Sequence, residues 1–234
     1  MPDPRERLIL ALDLPDAASA DRMVASLGDS IGFYKVGLQL FTAEGPGYVR
    51  SLVTRGKKVF LDLKFHDIPT TVAAAVKSAA GLGVSMLTLH ASGGTKMLKA
   101  AFEAAKTCSN PPILLGVTVL TSISDETMGS LGVFRPVSEQ VPHLAKLAYE
   151  AGCDGFVASP VEANGLRKLY GPRVAIVIPG IRPAGAEAGD QVRIATPAEA
   201  IRNGASHLVV GRPITSAPDP AAAAKAILEE MRNA

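Results

Sequence analysis

Apolar residues recur along the chain in short runs rich in β-branched side chains, at 8–12, 33–37, 58–63, 86–90, 113–120, 155–158, 174–178 and 207–211. Runs of this length and composition predict buried strands. Between them lie alanine-rich stretches, at 70–80, 95–107, 138–151, 160–169, 196–203 and 220–233, in which apolar residues recur at helical spacing. Strands that are apolar almost throughout, separated by helices, predict a parallel sheet covered on its outer side. Eight such units in 234 residues predict an α/β fold in which residues 1–234 form a single-domain (β/α)8 TIM barrel. A doubly wound open sheet is the competing arrangement. Against it, the first run leads into "LDLPDA" rather than GxGxxG, and the glycines of "ASGGTKM" lack the GxxxxGK[ST] spacing.

Composition narrows the partners. At 47% apolar content the chain can bury a large core, and a net charge of +2 with scattered basic residues offers no stripe for a nucleic acid. The two cysteines, Cys108 and Cys153, form no CxxC or Cys/His cluster, which argues against a disulfide framework and a structural zinc site. The apolar run before Asp13 is too short for a signal peptide or a membrane span, so a soluble, cytoplasmic protein without a membrane partner is expected.

Charge then singles out the strand ends. In a barrel of this kind chemistry sits where strands give way to the following loops. Asp13 ends the first run and Lys35 lies near the end of the second. Asp62 and Lys64 end the third, His90 the fourth, Thr121 and Ser122 follow the fifth, Arg182 follows the seventh, and Gly211-Arg212 close the eighth. Within "VFLDLKFHDIP" (59–69), Asp62 and Lys64 alternate with Leu61 and Leu63 and so share a face, which Lys35 can approach from the neighbouring strand. A structural ion pair is the plain alternative, but a buried pair is costly to desolvate. Asp67 falls in the turn before a helix that Pro69 can open, where its plain role is a turn or helix-cap aspartate.

The loops after strands seven and eight are the usual phosphate site of this fold, and "LVVGRPIT" supplies backbone N–H groups and a guanidinium there. The Gly- and Pro-containing stretch 179–194 is long enough to act as a lid, with Arg182 and Gln191 as reaching groups. His66 and His143 read as surface residues, His207 starts strand eight at the end away from the chemistry, and His90 reads as a supporting residue. No GxSxG elbow is present. The residues alone thus describe an enzyme acting on a phosphorylated small molecule, with an ammonium and carboxylates at the reacting end.

The segments "LALDLPD", "YKVGLQLF", "FLDLKFHDIPTTV", "TVLTS", "PGIRPAGAEAGDQ" and "LVVGRPIT", in this order and spacing, closely resemble the bacterial orotidine 5'-phosphate decarboxylases. The resemblance implies decarboxylation of orotidylate to uridine 5'-phosphate without a cofactor or metal. It implies Lys64 as the catalytic lysine, with Lys35, Asp62 and Asp67 completing an alternating charge array. Asp13 and Lys35 would hold the ribose, Thr121 and Ser122 the pyrimidine, Gln191 both base and phosphate, and Arg182 with Gly211-Arg212 the phosphate. Ile68, Thr71 and Pro179 complete the substrate contacts. In that family the aspartate matching Asp67 is donated across a dimer interface, so a homodimer is implied. Two other readings stay open: a Mg²⁺-dependent keto-sugar-phosphate decarboxylase or aldolase on the same barrel, and a non-catalytic sugar-phosphate-binding barrel. The first is weakened by Lys35, which stands where those relatives carry an acidic metal ligand.

Overall fold

The computed structural model describes residues 3–183 and 194–234. Eight parallel strands follow one another in chain order around a closed barrel. They are β1 (Leu8–Ala11), β2 (Phe33–Gly37), β3 (Lys58–Phe65), β4 (Met86–His90), β5 (Ile113–Val117), β6 (Gly155–Val157), β7 (Ala175–Ile178) and β8 (His207–Val210). β8 closes the barrel by pairing with β1, Leu8 opposite Leu208 and Leu10 opposite Val210.

The alternation of each strand divides the apolar residues into two cores. Ile9, Ala11, Phe33, Phe60, Met86, Leu115, Val177 and Val209 pack together inside the barrel. The residues between them, such as Leu8, Leu10, Tyr34 and Val36, belong to the larger core between strands and helices. The strands are therefore apolar on both faces, as a sheet wrapped by helices requires. One step further along the inner face of β2 and β3, Phe33 and Phe60 give way to Lys35 and Asp62. The inner apolar cluster is thus the floor beneath a charged layer.

The anticipated helices lie at Pro69–Ala80, Gly94–Lys106, Val137–Glu150, Ala163–Tyr170, Pro197–Arg202 and Pro220–Arg232. The fourth starts three residues later than its apolar pattern, because the Glu162 carboxylate accepts the N–H of Ser159 at 2.8 Å and its hydroxyl as well, holding a turn there. Two further long helices cover the barrel, Ala17–Leu27 and Leu38–Thr54, beside short ones at Pro4–Arg7, Asp125–Ser130 and Arg212–Thr215. The second long one contains Gly45-Pro46-Gly47, which reads as a turn; the chain kinks where Gly45 takes φ 66° and then resumes the helix. β3 runs two residues beyond its apolar segment, and β5 stops at Val117 although Val119 and Leu120 are apolar. Those two line a cavity at the strand ends instead of extending the sheet. Among the described residues, no helix is long and apolar enough to cross a membrane.

Candidate active site

The first three strands deliver a row of alternating charges. In the parallel register Lys35 of β2 stands beside Ala11 of β1 and Phe60 of β3, and Gly37 beside Asp62. Lys35 Nζ lies 2.9 Å from Asp13 Oδ1 and 3.6 Å from Asp62 Oδ2. Lys64 Nζ donates to both oxygens of Asp62 at 2.9 Å. The order is carboxylate, ammonium, carboxylate, ammonium. Burial pushes the Asp62 carboxyl upward, but Lys35 and Lys64, with hydrogen bonds from Lys64 and Thr88, outweigh it and hold Asp62 below the ordinary carboxylate range. Asp62 is therefore ionised at neutral pH.

Two features that support this row carry no signal in the sequence. A Cβ on Gly37 would stand 2.9 Å from Lys35 Nζ and 3.0 Å from Asp13 Oδ1, so the missing side chain leaves the space that the Asp13–Lys35 pair occupies. Lys64, for its part, has φ 52°, the left-handed region that a side chain with a Cβ adopts at a cost. The β3–β4 register slips between Leu61 and Phe65, and the Lys64 N–H donates to the Thr88 hydroxyl at 2.9 Å. Asp62 and Lys64 thus meet across an irregular strand and not by simple alternation.

The charged row forms one side of a cavity of about 680 Å³, within the range of small-molecule sites. Asp13 faces it from the segment just after β1, and Lys35, Asp62 and Lys64 from β2 and β3. Thr121 and Ser122 line it from the segment after β5, alongside Val117 and Val119. Pro179 and Arg182 enter after β7, and Gly211 and Arg212 after β8. Arg182 is 8% exposed, its Nη1 donating to the Ile181 carbonyl at 2.9 Å. Its guanidinium is held below the usual arginine value by burial and by repulsion from Arg212. Two arginines in mutual repulsion at one end of a cavity suit a multiply charged anion.

Three expected residues do not face this cavity. Asp67 and Thr71 are exposed, and Ile68 is 64% exposed despite its apolar side chain. Among the described residues the Asp67 carboxylate accepts only the adjacent Ile68 N–H, and the helix that Pro69 opens has Ile68 at its cap position with no side-chain bond. A capping role for Asp67 is therefore corrected. Gln191 lies outside the described residues, as do residues 184–193 of the expected lid. His90 turns its ring to His66, 5.5 Å between centroids, and burial foremost lowers its pKa, with the charges of His66 and Lys64 adding to the shift. Among the described residues no group of three or more His, Cys, Asp or Glu side chains is arranged to hold a metal ion.

A family model described as orotidine 5'-phosphate decarboxylase / HUMPS family matches residues 6–227. A Moorella thermoacetica protein named orotidine 5'-phosphate decarboxylase is 52% identical over 233 residues, 97% of this chain and 92% of the relative. A Rhodopseudomonas palustris protein of the same name is 54% identical over 231 residues, 99% of this chain and 95% of the relative. The crystal structure of orotidine 5'-phosphate decarboxylase from Lactobacillus acidophilus matches with a TM-score of 0.87 at 42% identity, covering 96% of this chain and 98% of that one. On a match that spans almost the whole barrel and all four segments of its charged row, the chain belongs to the orotidine 5'-phosphate decarboxylase / HUMPS family.

Proposed function

We propose that this chain is a carboxy-lyase that converts orotidine 5'-phosphate to uridine 5'-phosphate and CO2, the last step of de novo UMP synthesis, without a cofactor. The observation that carries the reading is the row Asp13, Lys35, Asp62, Lys64 along one wall of a cavity that also contains Arg182 and Arg212. Arg182, Arg212 and Gly211 take the phosphate, Asp13 and Lys35 the ribose hydroxyls, and Thr121, Ser122 and Pro179 the pyrimidine. Gln191 bridges base and phosphate.

The bond from C6 to the carboxylate breaks with its electron pair left on C6, and CO2 departs. That pair lies in the ring plane, where the π system cannot delocalise it, so fixed charge must stabilise it. The Lys64 ammonium does this and then transfers its proton to C6. Asp62, ionised and beside the departing carboxylate, repels it in the bound substrate. One well-placed electrostatic group is worth about 3–4 kcal/mol, whereas enzymes supply roughly 8–23 kcal/mol. Binding energy from the phosphate must therefore contribute to orientation at C6.

The working unit is a homodimer in which Asp67, Ile68 and Thr71 serve the partner's cavity. Their exposure, and their absence from the lining of their own cavity, support this. Each site would then hold one further carboxylate. A cytoplasmic location agrees with the two free cysteines, of which Cys153 is buried. The Mg²⁺-dependent reading is disfavoured by the Lys35 ammonium between Asp13 and Asp62, where it would repel a divalent cation.

The test is to follow the ultraviolet absorbance of orotidylate with purified protein in excess EDTA. Turnover to uridine 5'-phosphate is expected. Inactivity on orotidylate, with Mg²⁺-dependent turnover of a keto-sugar phosphate, would establish the second reading, and inactivity on both would indicate a binding protein.

A further inference from the structure

The irregularity in β3 has a single buried partner. The β3–β4 ladder pairs Phe60 with Met86 and Leu61 with Leu87, and next pairs Phe65 with Leu89. Three residues of β3, 62–64, therefore stand opposite the one residue Thr88, and their backbone leaves the regular ladder. Thr88 is 0% exposed and does not line the cavity. Its hydroxyl accepts the Lys64 N–H at 2.9 Å and donates its proton to Asp62 Oδ1 at 2.9 Å. A hydroxyl has one proton and two lone pairs, so this is a directed relay from the Lys64 backbone to the Asp62 carboxylate.

The relay bears on both members of the charge pair. A lysine at φ 52° persists only where its surroundings determine it, and the Lys64 N–H donating to Thr88 is a bond that does so. That backbone sets where the ammonium starts, and the second bond sets the turn of the carboxylate to which the ammonium donates. We propose that Thr88 is a positioning residue that sets the backbone of Lys64 and the orientation of Asp62 through one hydroxyl, an inference that rests on the decarboxylase reading for its effect on rate. Valine at this site keeps the β-branched shape inside the barrel and removes both bonds.

The experiment compares Thr88→Val and Thr88→Ser. Misplacement of a reacting group by a fraction of an ångström to an ångström costs up to about a hundredfold in rate, so kcat of Thr88→Val is expected to fall about tenfold to a hundredfold. KM, set mainly by phosphate and ribose contacts, is expected to stay within about threefold. The acid limb of the kcat profile is expected to move to higher pH, because Asp62 loses one of the bonds that stabilise its charged form. Thr88→Ser, which keeps the hydroxyl but loses the methyl, is expected to retain kcat within about threefold. Thr88→Val at wild-type kcat, or a serine variant as impaired as the valine one, overturns the proposal. Should the valine variant not fold, Thr88→Cys replaces it, with wild-type kcat again the overturning result. A crystal structure of the variant gives a readout independent of the substrate: Lys64 is expected to leave its positive φ, and an unchanged Lys64–Asp62 geometry overturns the proposal even if the protein proves inactive on orotidylate.

Discussion

Lys64 Nζ stands 2.9 Å from each carboxylate oxygen of Asp62, while the same carboxylate lies 3.6 Å from Lys35 Nζ. One ionised group is thus shared by two ammoniums, and removing Lys64 leaves Asp62 paired with Lys35. The fold should therefore tolerate Lys64→Ala although the reaction should not. On the proposed mechanism the variant loses both the charge facing the C6 carbanion and the proton donor. An electrostatic group of this kind is worth about a hundredfold to a thousandfold and a general acid about a hundredfold to ten-thousandfold, so kcat is expected to fall at least about ten-thousandfold. Steady-state turnover of orotidylate with an unchanged melting temperature checks this; turnover within about tenfold of wild type would mean that the proton comes from another group.

Gly37 tests the other half of the row. Its φ of −100° is open to any residue, so the backbone does not require glycine; the space beside Lys35 and Asp13 does. A Cβ there meets the flexible end of Lys35, which can swing away, so Gly37→Ala is expected to cost less than about 1 kcal/mol of stability. Displacing the ammonium breaks its contacts with Asp13 and Asp62, and kcat/KM is expected to fall about tenfold or more. Wild-type kinetics in a stable alanine variant would show that Lys35 need not be where it stands.

These two residues also show what a linear reading can reach. Lys35, Asp62 and Lys64 are legible because charges interrupt apolar strands at one end of a repeating unit, and repetition alone predicts the barrel. Gly37 is silent, since a glycine after a strand has many plain causes and only the distance to Lys35 Nζ identifies this one. The left-handed Lys64 and the hydroxyl that holds it are 24 positions apart, and no local periodicity connects them. The helix Leu38–Thr54 is hidden by a Gly-Pro-Gly that reads as a stop but forms a kink. Asp67 is silent for another reason: among the described residues it does not line the cavity that Asp62 and Lys64 face in its own chain.

His207 supplies a prediction far from the chemistry. It starts β8, its ring edge-on to Phe33 at 6.0 Å, and its buried Nδ1 has no hydrogen-bond partner among the described residues. Burial, then repulsion from Arg7 and Lys58, lowers its pKa from 6.5 to about 4, against a weaker opposite pull from Glu6. Above about pH 6.5 the ring is neutral folded or unfolded and contributes nothing to pH dependence. As pH falls below that value, the unfolded chain binds a proton that the folded chain refuses, so stability drops until about pH 4. The difference amounts to about 2 kcal/mol at about pH 5. Urea unfolding at about pH 7.5 and about pH 5 is expected to show His207→Phe losing about 2 kcal/mol less than wild type over that interval. Equal losses in the two proteins would assign the acid sensitivity to other groups.

In the proposed reaction Arg182 is the residue through which the distant end of the substrate would affect C6. It is nearly buried, its Nη1 is fixed on the Ile181 carbonyl, and it faces the same cavity as Lys64 from the opposite group of strands. A charge-assisted bond of this kind contributes about 1.5–3 kcal/mol, so Arg182→Ala is expected to lower kcat/KM for orotidylate about tenfold to a hundredfold. If the phosphate serves only to hold the substrate, the whole loss appears in KM. If its binding energy also orients the pyrimidine, kcat falls as well. Orotidine, which lacks the phosphate, separates this from general damage to the site, because on the proposed role the substitution removes nothing that the nucleoside would use. Its slow turnover is therefore expected to be equal in wild type and variant. A variant impaired equally on orotidine and orotidylate would show that Arg182 supports the cavity and not the phosphate.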